Sequence, residues 1–230
     1  MQKKTVTLAL GAALALAATG AFADQAGPND VRLGIYLVHY EAVAGNIAGP
    51  YVPPGLNVHL DNVETLYVAY VRSISPHLNV ELAFGYPPLT KTEGRGPAKL
   101  GSVPYNGQVI STARWVAPTL LLEYVFGSPS ARLRPYVGAG VNYTKFVNRQ
   151  STAAGNAASG GPTSISLPSS VGPAATAGLS YEITDRWHVY ASYSVAQVNS
   201  KLTADTAGIL RTSEVHFWPN TVVISAGYSF

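Results

Sequence analysis

Five charged side chains, Arg32, Glu81, Glu123, Arg134 and Glu182, stand in stretches otherwise built from apolar and small residues. Two of the carboxyls, Glu81 and Glu123, could work as a general acid and base. The same set admits a structural role, because charges withdrawn from water are costly unless paired, and Arg32 and Arg134 are partners at hand. No nucleophile motif accompanies the carboxyls, so an interlocked Arg–Glu plug is the expected arrangement. His188, with Ser192 and Ser194 on the same row, could serve a lipid hydrolase. The chain has no G-x-S-x-G, Walker A or H-E-x-x-H motif, and its five histidines lack metal-ligand spacing. Neither a metal, a cofactor nor an enzymatic activity is expected.

The elements that carry these residues alternate with period two, the signature of strands. Val222, Ile224, Ala226, Tyr228 and Phe230 fall on one face and Val223, Ser225, Gly227 and Ser229 on the other. Equivalent alternation runs through residues 31–37, 66–70, 80–86, 120–126, 133–144, 175–183 and 187–195. The polar rows are rich in Gly and Ser, too small to clothe a wetted surface but suited to the inside of a narrow barrel. Aromatic residues sit at the ends of the apolar rows (Tyr86, Phe126, Tyr143, Tyr181, Trp187, Tyr228, Phe230), as in the girdles of a membrane barrel. A charge on a lipid face costs roughly 2–4 kcal/mol at the midplane, and these apolar rows carry none. Short connections at 75–78, 127–131 and 184–186 alternate with long ones at 41–60, 87–108, 149–169 and 203–213. The expected fold is therefore all-β: an eight-stranded antiparallel transmembrane β-barrel with short periplasmic turns and long extracellular loops. Segment 149–169 is nearly low-complexity and is expected to be mobile.

Composition agrees. Charged residues make up 12% of the 230 residues, against about 25% in soluble domains. Tyrosine occurs 14 times and cysteine not at all, so disulfides do not hold the fold. Lys3 and Lys4, the apolar run from Val6 to Ala18, and Ala21-Phe22-Ala23 read as a cleaved secretory signal over residues 1–23, leaving a barrel over 24–230. The formal charge of +3 includes those two lysines, and no Lys/Arg block suggests nucleic acid.

Eight strands enclose a lumen that side chains or one small ligand can fill. By parity Ala83, Trp115, Phe146 and Val171 are expected to point inward above the charged plug, as an apolar chamber. Pro118, Pro173 and Pro219 interrupt strands toward their outer ends. Proline donates no ladder hydrogen bond, so they mark either strand ends and bulges or a seam in the wall toward lipid.

Residues 115–126 read WVAPTLLLEYVF and residues 133–146 read LRPYVGAGVNYTKF. The stretch RPYVGAGVNYT resembles the hallmark segment of the OmpW family of bacterial outer-membrane proteins, which includes AlkL-like importers of hydrophobic compounds. Ala117-Pro118-Thr119-Leu120 resembles the family's PPTL-type motif, Val80-Glu81-Leu82-Ala83 its V-E-L-L motif, and the SAGYSF ending its AGYRF terminus. The resemblance spans the mature chain. It implies a barrel of the bacterial outer membrane that passes small hydrophobic molecules through a narrow apolar channel and a lateral opening into the membrane. It also implies contact with outer-membrane lipid and lipopolysaccharide, and recognition of Phe230 by the barrel-assembly machinery. Ala83 and Val171 align with channel-constricting positions that are usually the larger Leu and Trp. A structural or receptor barrel, binding phage, toxin or host surfaces through its loops without transport, remains the alternative.

Overall fold

The computed structural model describes residues 27–40, 43–100 and 103–230. The expected signal segment, residues 1–23, lies outside the described residues. In chain order the strands are β1 (Asn29–His39), β2 (Val43–Ala44), β3 (Asn57–Leu60), β4 (Val63–Ser75), β5 (Leu78–Gly85), β6 (Leu89–Arg95), β7 (Lys99–Leu100), β8 (Val103–Pro104), β9 (Val109–Val116), β10 (Thr119–Val125) and β11 (Leu133–Ser151). Helix α1 (Ala153–Ser159) follows, then β12 (Ser164–Ser166), β13 (Ser170–Glu182), β14 (Trp187–Ala196), β15 (Val198–Thr206), β16 (Ile209–Phe217) and β17 (Asn220–Ser229).

Eight of these strands close on themselves. The order is β10-β5-β4-β1-β17-β14-β13-β11, and β11 pairs back onto β10, all antiparallel. Closure leaves no free edge strand in this eight-stranded wall, the condition for crossing lipid with strands. The first and last barrel strands are stitched together, Asn29 N–H donating to the Phe230 carbonyl and Phe230 N–H to the Asn29 carbonyl.

The alternation read from sequence sorts the side chains. Along β17, Ile224 is 56% exposed while Val223 and Ser225 are buried. Along β11, Leu133, Val137, Val141 and Tyr143 are exposed, whereas Tyr136, Asn142 and Thr144 are buried. The outward apolar row of β11 runs from Leu133 to Tyr143. At about 3.3 Å per residue and a tilt of about 40°, those ten steps span about 25 Å, the height of the apolar band of an outer-membrane barrel.

Beyond the outer girdle the chain stays ordered where loops are expected. Residues 57–60 and 89–95 form β3 and β6, which with β9 extend the wall above β11. Residues 198–217 form the β15–β16 hairpin. The low-complexity segment 149–169 is likewise not free chain. It holds α1, capped by the Thr152 hydroxyl, which accepts from Gly155 N–H, and closed by left-handed Gly160, followed by β12. These segments were read as loops because their outward residues are polar, which hides strand alternation above the membrane.

Candidate functional site

The lumen has two floors. The lower one centres on Arg32, which enters from β1. Its Nη1 donates to Glu81 Oε2 at 2.6 Å and its Nε to Asp30 Oδ2 at 3.2 Å. Glu123 Oε2 lies 3.6 Å from Nη2, within ion-pair range but beyond a hydrogen bond. Tyr67 donates to Glu81 Oε1 at 2.9 Å and Tyr190 to Asp30 Oδ2 at 2.7 Å. The guanidinium carbon also stands 3.8 Å from the Tyr190 ring centroid and 5.8 Å from that of Tyr136.

Glycine makes room for this stack. A Cβ on Gly227 would come within 2.6 Å of the Tyr190 ring and 2.7 Å of Asp30 Oδ1, and one on Gly178 within 2.6 Å of the Tyr136 ring. Asp30, Arg32, Glu81 and Glu123 are all buried. Asp30 Oδ1 and both Glu123 oxygens accept no hydrogen bond from the described residues. One guanidinium thus faces three carboxyls in the interior of the lower barrel.

Arg134 and Glu182, expected in this cluster, lie outside it. Arg134 donates from Nη2 to the Pro76 carbonyl at 2.6 Å, tying two periplasmic turns together. Both residues line the polar periplasmic mouth, with His188 and Ser229. They sit one or two residues from a turn, where a long side chain reaches the rim instead of the axis. Asp30, Tyr67, Tyr136 and Tyr190 are the members that sequence reasoning missed. His188 meets neither Ser192 nor Ser194; its Nδ1 is 3.4 Å from Ser229 Oγ, a long contact. Among the described residues no cluster of His, Cys, Asp or Glu could hold a metal ion.

The upper floor is apolar. Tyr36 and Tyr67 meet edge-on, with ring centroids 4.8 Å apart, and Ala69, Ala83 and Val223 pack with them as its base. Above it Val38, Tyr40, Val63, Phe146, Val198, Leu202, Val215 and Phe217 form a second apolar cluster, with Trp115 against it. Trp115 Nε1 donates to Thr90 Oγ1 at 3.0 Å, which satisfies the indole. Between the two clusters remains a cavity of about 120 Å³, of the order of the ~150 Å³ apolar cavity that accepts benzene. Ala83, Trp115 and Phe146 line it.

Val171 does not. It lies on the outer face, 68% exposed, between the buried Ser170 and Gly172. Strand β13 pairs with β11 without a bulge, so its even-numbered residues face in and Val171 must face out.

The wall beside the cavity is interrupted. Pairing of β5 with β10 ends at Ala83↔Thr119, and pairing of β6 with β9 resumes at Leu89↔Arg114. Between them residues 84–88 face residues 115–118 with no backbone hydrogen bond among the described residues. Four unpaired residues are about 13 Å of strand. The opposing paired positions sum to 202 below the gap and 203 above it, so one extra residue is inserted at Pro87-Pro88. That pair of prolines makes the break, at the start of the segment 87–108 whose composition predicts a loop.

Pro118 stands on the other edge of this gap. Tyr143 N–H donates to its carbonyl at 3.0 Å, and register with β11 is kept across it, from Val116↔Lys145 to Thr119↔Asn142. Side chains stand in for the missing ladder: Thr119 Oγ1 and Asn142 Nδ2 both donate toward the Ala117 carbonyl, at 3.3 and 3.5 Å. Pro173 stays in the β11–β13 ladder and faces outward, and its carbonyl accepts from Gln197 N–H at 2.9 Å. Pro219 lies in the bend between β16 and β17 and lines the cavity.

The chain is similar to known outer-membrane proteins. Outer membrane protein W of Escherichia coli (strain K12) is 30% identical over 227 residues, 99% of this chain and 100% of its own. The dibenzothiophene metabolism operon protein PahQ of Pseudomonas aeruginosa is 31% identical over 125 residues, 53% of this chain and 54% of its own. The crystal structure of the outer membrane protein OprG from Pseudomonas aeruginosa superposes with a TM-score of 0.79 at 21% identity, covering 90% of this chain and 97% of that one. The family model described as the OmpW family matches residues 25–230. With that span matched, this outer-membrane barrel belongs to the OmpW family.

Proposed function

We propose that the barrel gives passive uptake of small hydrophobic molecules, which enter the apolar chamber from outside, are stopped by the Arg32 plug, and leave sideways into lipid. One observation carries the reading: the cavity and the wall interruption coincide. Ala83, Gly85, Trp115, Ala117 and Thr119 line the cavity and flank the gap at 84–88 and 115–118. A solute passing there crosses no ionic layer and breaks no ladder hydrogen bond. The half-length likeness to a protein of a dibenzothiophene metabolism operon supports an apolar aromatic solute.

The test is uptake of a fluorescent polycyclic probe into cells that do or do not carry the protein, and that carry Ala117→Trp. The bulky ring is expected to fill the gap and lower uptake at least fivefold. Equal uptake with and without the protein would overturn the reading. A receptor or structural barrel is the second reading. It is favoured by the tight packing of Tyr40, Leu202 and Phe217 over the chamber, and it predicts that deleting outer segments abolishes function while Ala117→Trp does not. Phe230, carrying the last backbone bonds to β1, is the residue we assign to recognition by the assembly machinery.

A further inference from the structure

The charges on the outside of the barrel are unevenly placed. Just above the outer girdle, β6, β9 and β11 form one continuous face. Lys91 on β6, Arg114 on β9 and Lys145 on β11 all point outward on it, since their neighbours Thr90, Ala113, Trp115 and Phe146 line the cavity inside. Lys91 pairs with Thr112, Arg114 with Leu89 and Val147, and Lys145 with Val116. Arg114 is therefore the diagonal neighbour of both lysines, at roughly 7–8 Å between backbones. Three cations in a row repel one another, and like charges so placed destabilise a sheet.

Among the described residues no carboxylate lies within 4 Å of any of the three. Asp61, opposite Lys91 on the same face, gives it only a backbone bond, Asp61 N–H to the Lys91 carbonyl at 3.1 Å. Glu93, further out, is taken by Arg95 at 3.2 Å. Glu64 lies on β4, across the Pro87-Pro88 break. Arg114 Nη1 donates to the Pro87 carbonyl at 2.7 Å, which pins the guanidinium over the gap. Its other nitrogens have no partner among the described residues. On the opposite side of the barrel the outer hairpin carries one outward lysine, Lys201, and Glu214 neutralises it at 3.2 Å.

Height decides what the row meets. Lys145 follows Tyr143, the last apolar outward residue of β11, by two residues, about 6–7 Å of strand. That is the level of the headgroups of the outer leaflet. We infer that Lys91, Arg114 and Lys145 bind the phosphates of the outer-leaflet glycolipid, lipopolysaccharide, seating one such molecule beside the wall interruption. Arginine between two lysines suits a phosphate, which it can grip with two parallel N–H donors while the lysines supply charge. The anion removes the repulsion that the row otherwise carries. This inference stands whether or not the chamber carries a solute.

The test uses the full chain purified from outer membranes and titrated with lipid A carrying both phosphates or with bis-dephosphorylated lipid A, bound lipid being counted by native mass spectrometry. The phosphorylated form is expected to bind at least tenfold more tightly. Lys91→Gln, Arg114→Gln and Lys145→Gln should each weaken it roughly fivefold, and the triple variant should bind both forms alike. Lys201→Gln, on the paired side, should change nothing. Heat-modifiable migration on gels checks that each variant is folded; if the triple variant is not, the singles give the same comparison. Equal binding of the two lipids by the unaltered protein, or unchanged binding in the variants, overturns the inference. Competition by millimolar inorganic phosphate would assign the row to a free anion instead, and would also overturn it.

Discussion

The two floors of the lumen are built by opposite means within one wall. In the lower half every neighbouring strand pair is in register up to the turns, apart from a one-residue shift between Ser73 and Ser75. Its interior is filled by one guanidinium, three carboxyls and three tyrosines. In the upper half the interior is mostly apolar and holds a void, and strand pairing in the wall is interrupted at Pro87-Pro88. Lipid outside imposes the same demand on both halves, so the difference comes from what is inside. Where ions are buried, the ladder must exclude both lipid and water, because a displaced charge is expensive. Where the buried groups are mostly methyl groups and rings, with hydroxyls and one amide but no paired ions among them, an opening toward lipid costs less. The side opening proposed above accordingly falls on the half of the barrel that holds no buried Arg–carboxylate cluster.

That contrast breaks first at Arg32. Arg32→Met leaves Asp30, Glu81 and Glu123 buried with no cation, and removing one partner of a buried ionic group costs about 3–5 kcal/mol. Urea unfolding in lipid vesicles should report that loss. Arg32→Met combined with Glu81→Gln and Glu123→Gln should recover most of it. If the single variant is as stable as the original, the plug is not what holds the lower barrel shut.

Next in size is Asn142, at the boundary between the floors. It is buried, its Nδ2 donates to Thr119 Oγ1 at 2.8 Å, and its Oδ1 accepts from Thr144 Oγ1 at 2.7 Å. Asn142→Ala should cost about 1–3 kcal/mol by stranding the groups it satisfies. It should also raise probe uptake, because the Ala117 edge of the gap loses a side chain that holds it. A destabilised variant with unchanged uptake would mean that this edge does not shape the opening.

How far these features were legible follows from their distance from a regular row. Arg32, Glu81 and Glu123 were placed together because each sits mid-strand, where period two fixes its side. Asp30 was missed because it precedes the apolar row that begins at Val31. Tyr67, Tyr136 and Tyr190 point inward, but a plug sought among charged residues alone leaves them out; the inward glycines 178 and 227, close to two of these rings, are the available signal. Val171 was misplaced although its own strand fixes it outside, and Arg134 and Glu182 were overreached from positions next to turns. Pro87-Pro88 escaped because a bulge shifts the alternation by one residue, so β5 and β6 do not read as one wall. Pro118, which keeps the alternation, was visible while the true break opposite it was not.

The smallest energy change bears most directly on passage. Tyr143 N–H donates to the Pro118 carbonyl, and in an antiparallel pair residue 118 would return its own N–H to Tyr143. Proline has none. Pro118→Ala supplies it, so β10 and β9 should join β11 by one more bond, worth about 0.5–1.5 kcal/mol. A straighter edge lies flatter against residues 84–88, so the variant should be slightly more stable and yet take up the probe more slowly, by about two- to fivefold. Stability in vesicles and uptake in cells, measured on the same variant, separate the possibilities. If stability rises and uptake holds, the opening owes its shape to Pro87-Pro88 alone, and the weakness lies wholly on the β5–β6 side. If both fall, the added donor has found no acceptor, and the pairing inferred from the Tyr143 bond does not extend through residue 118.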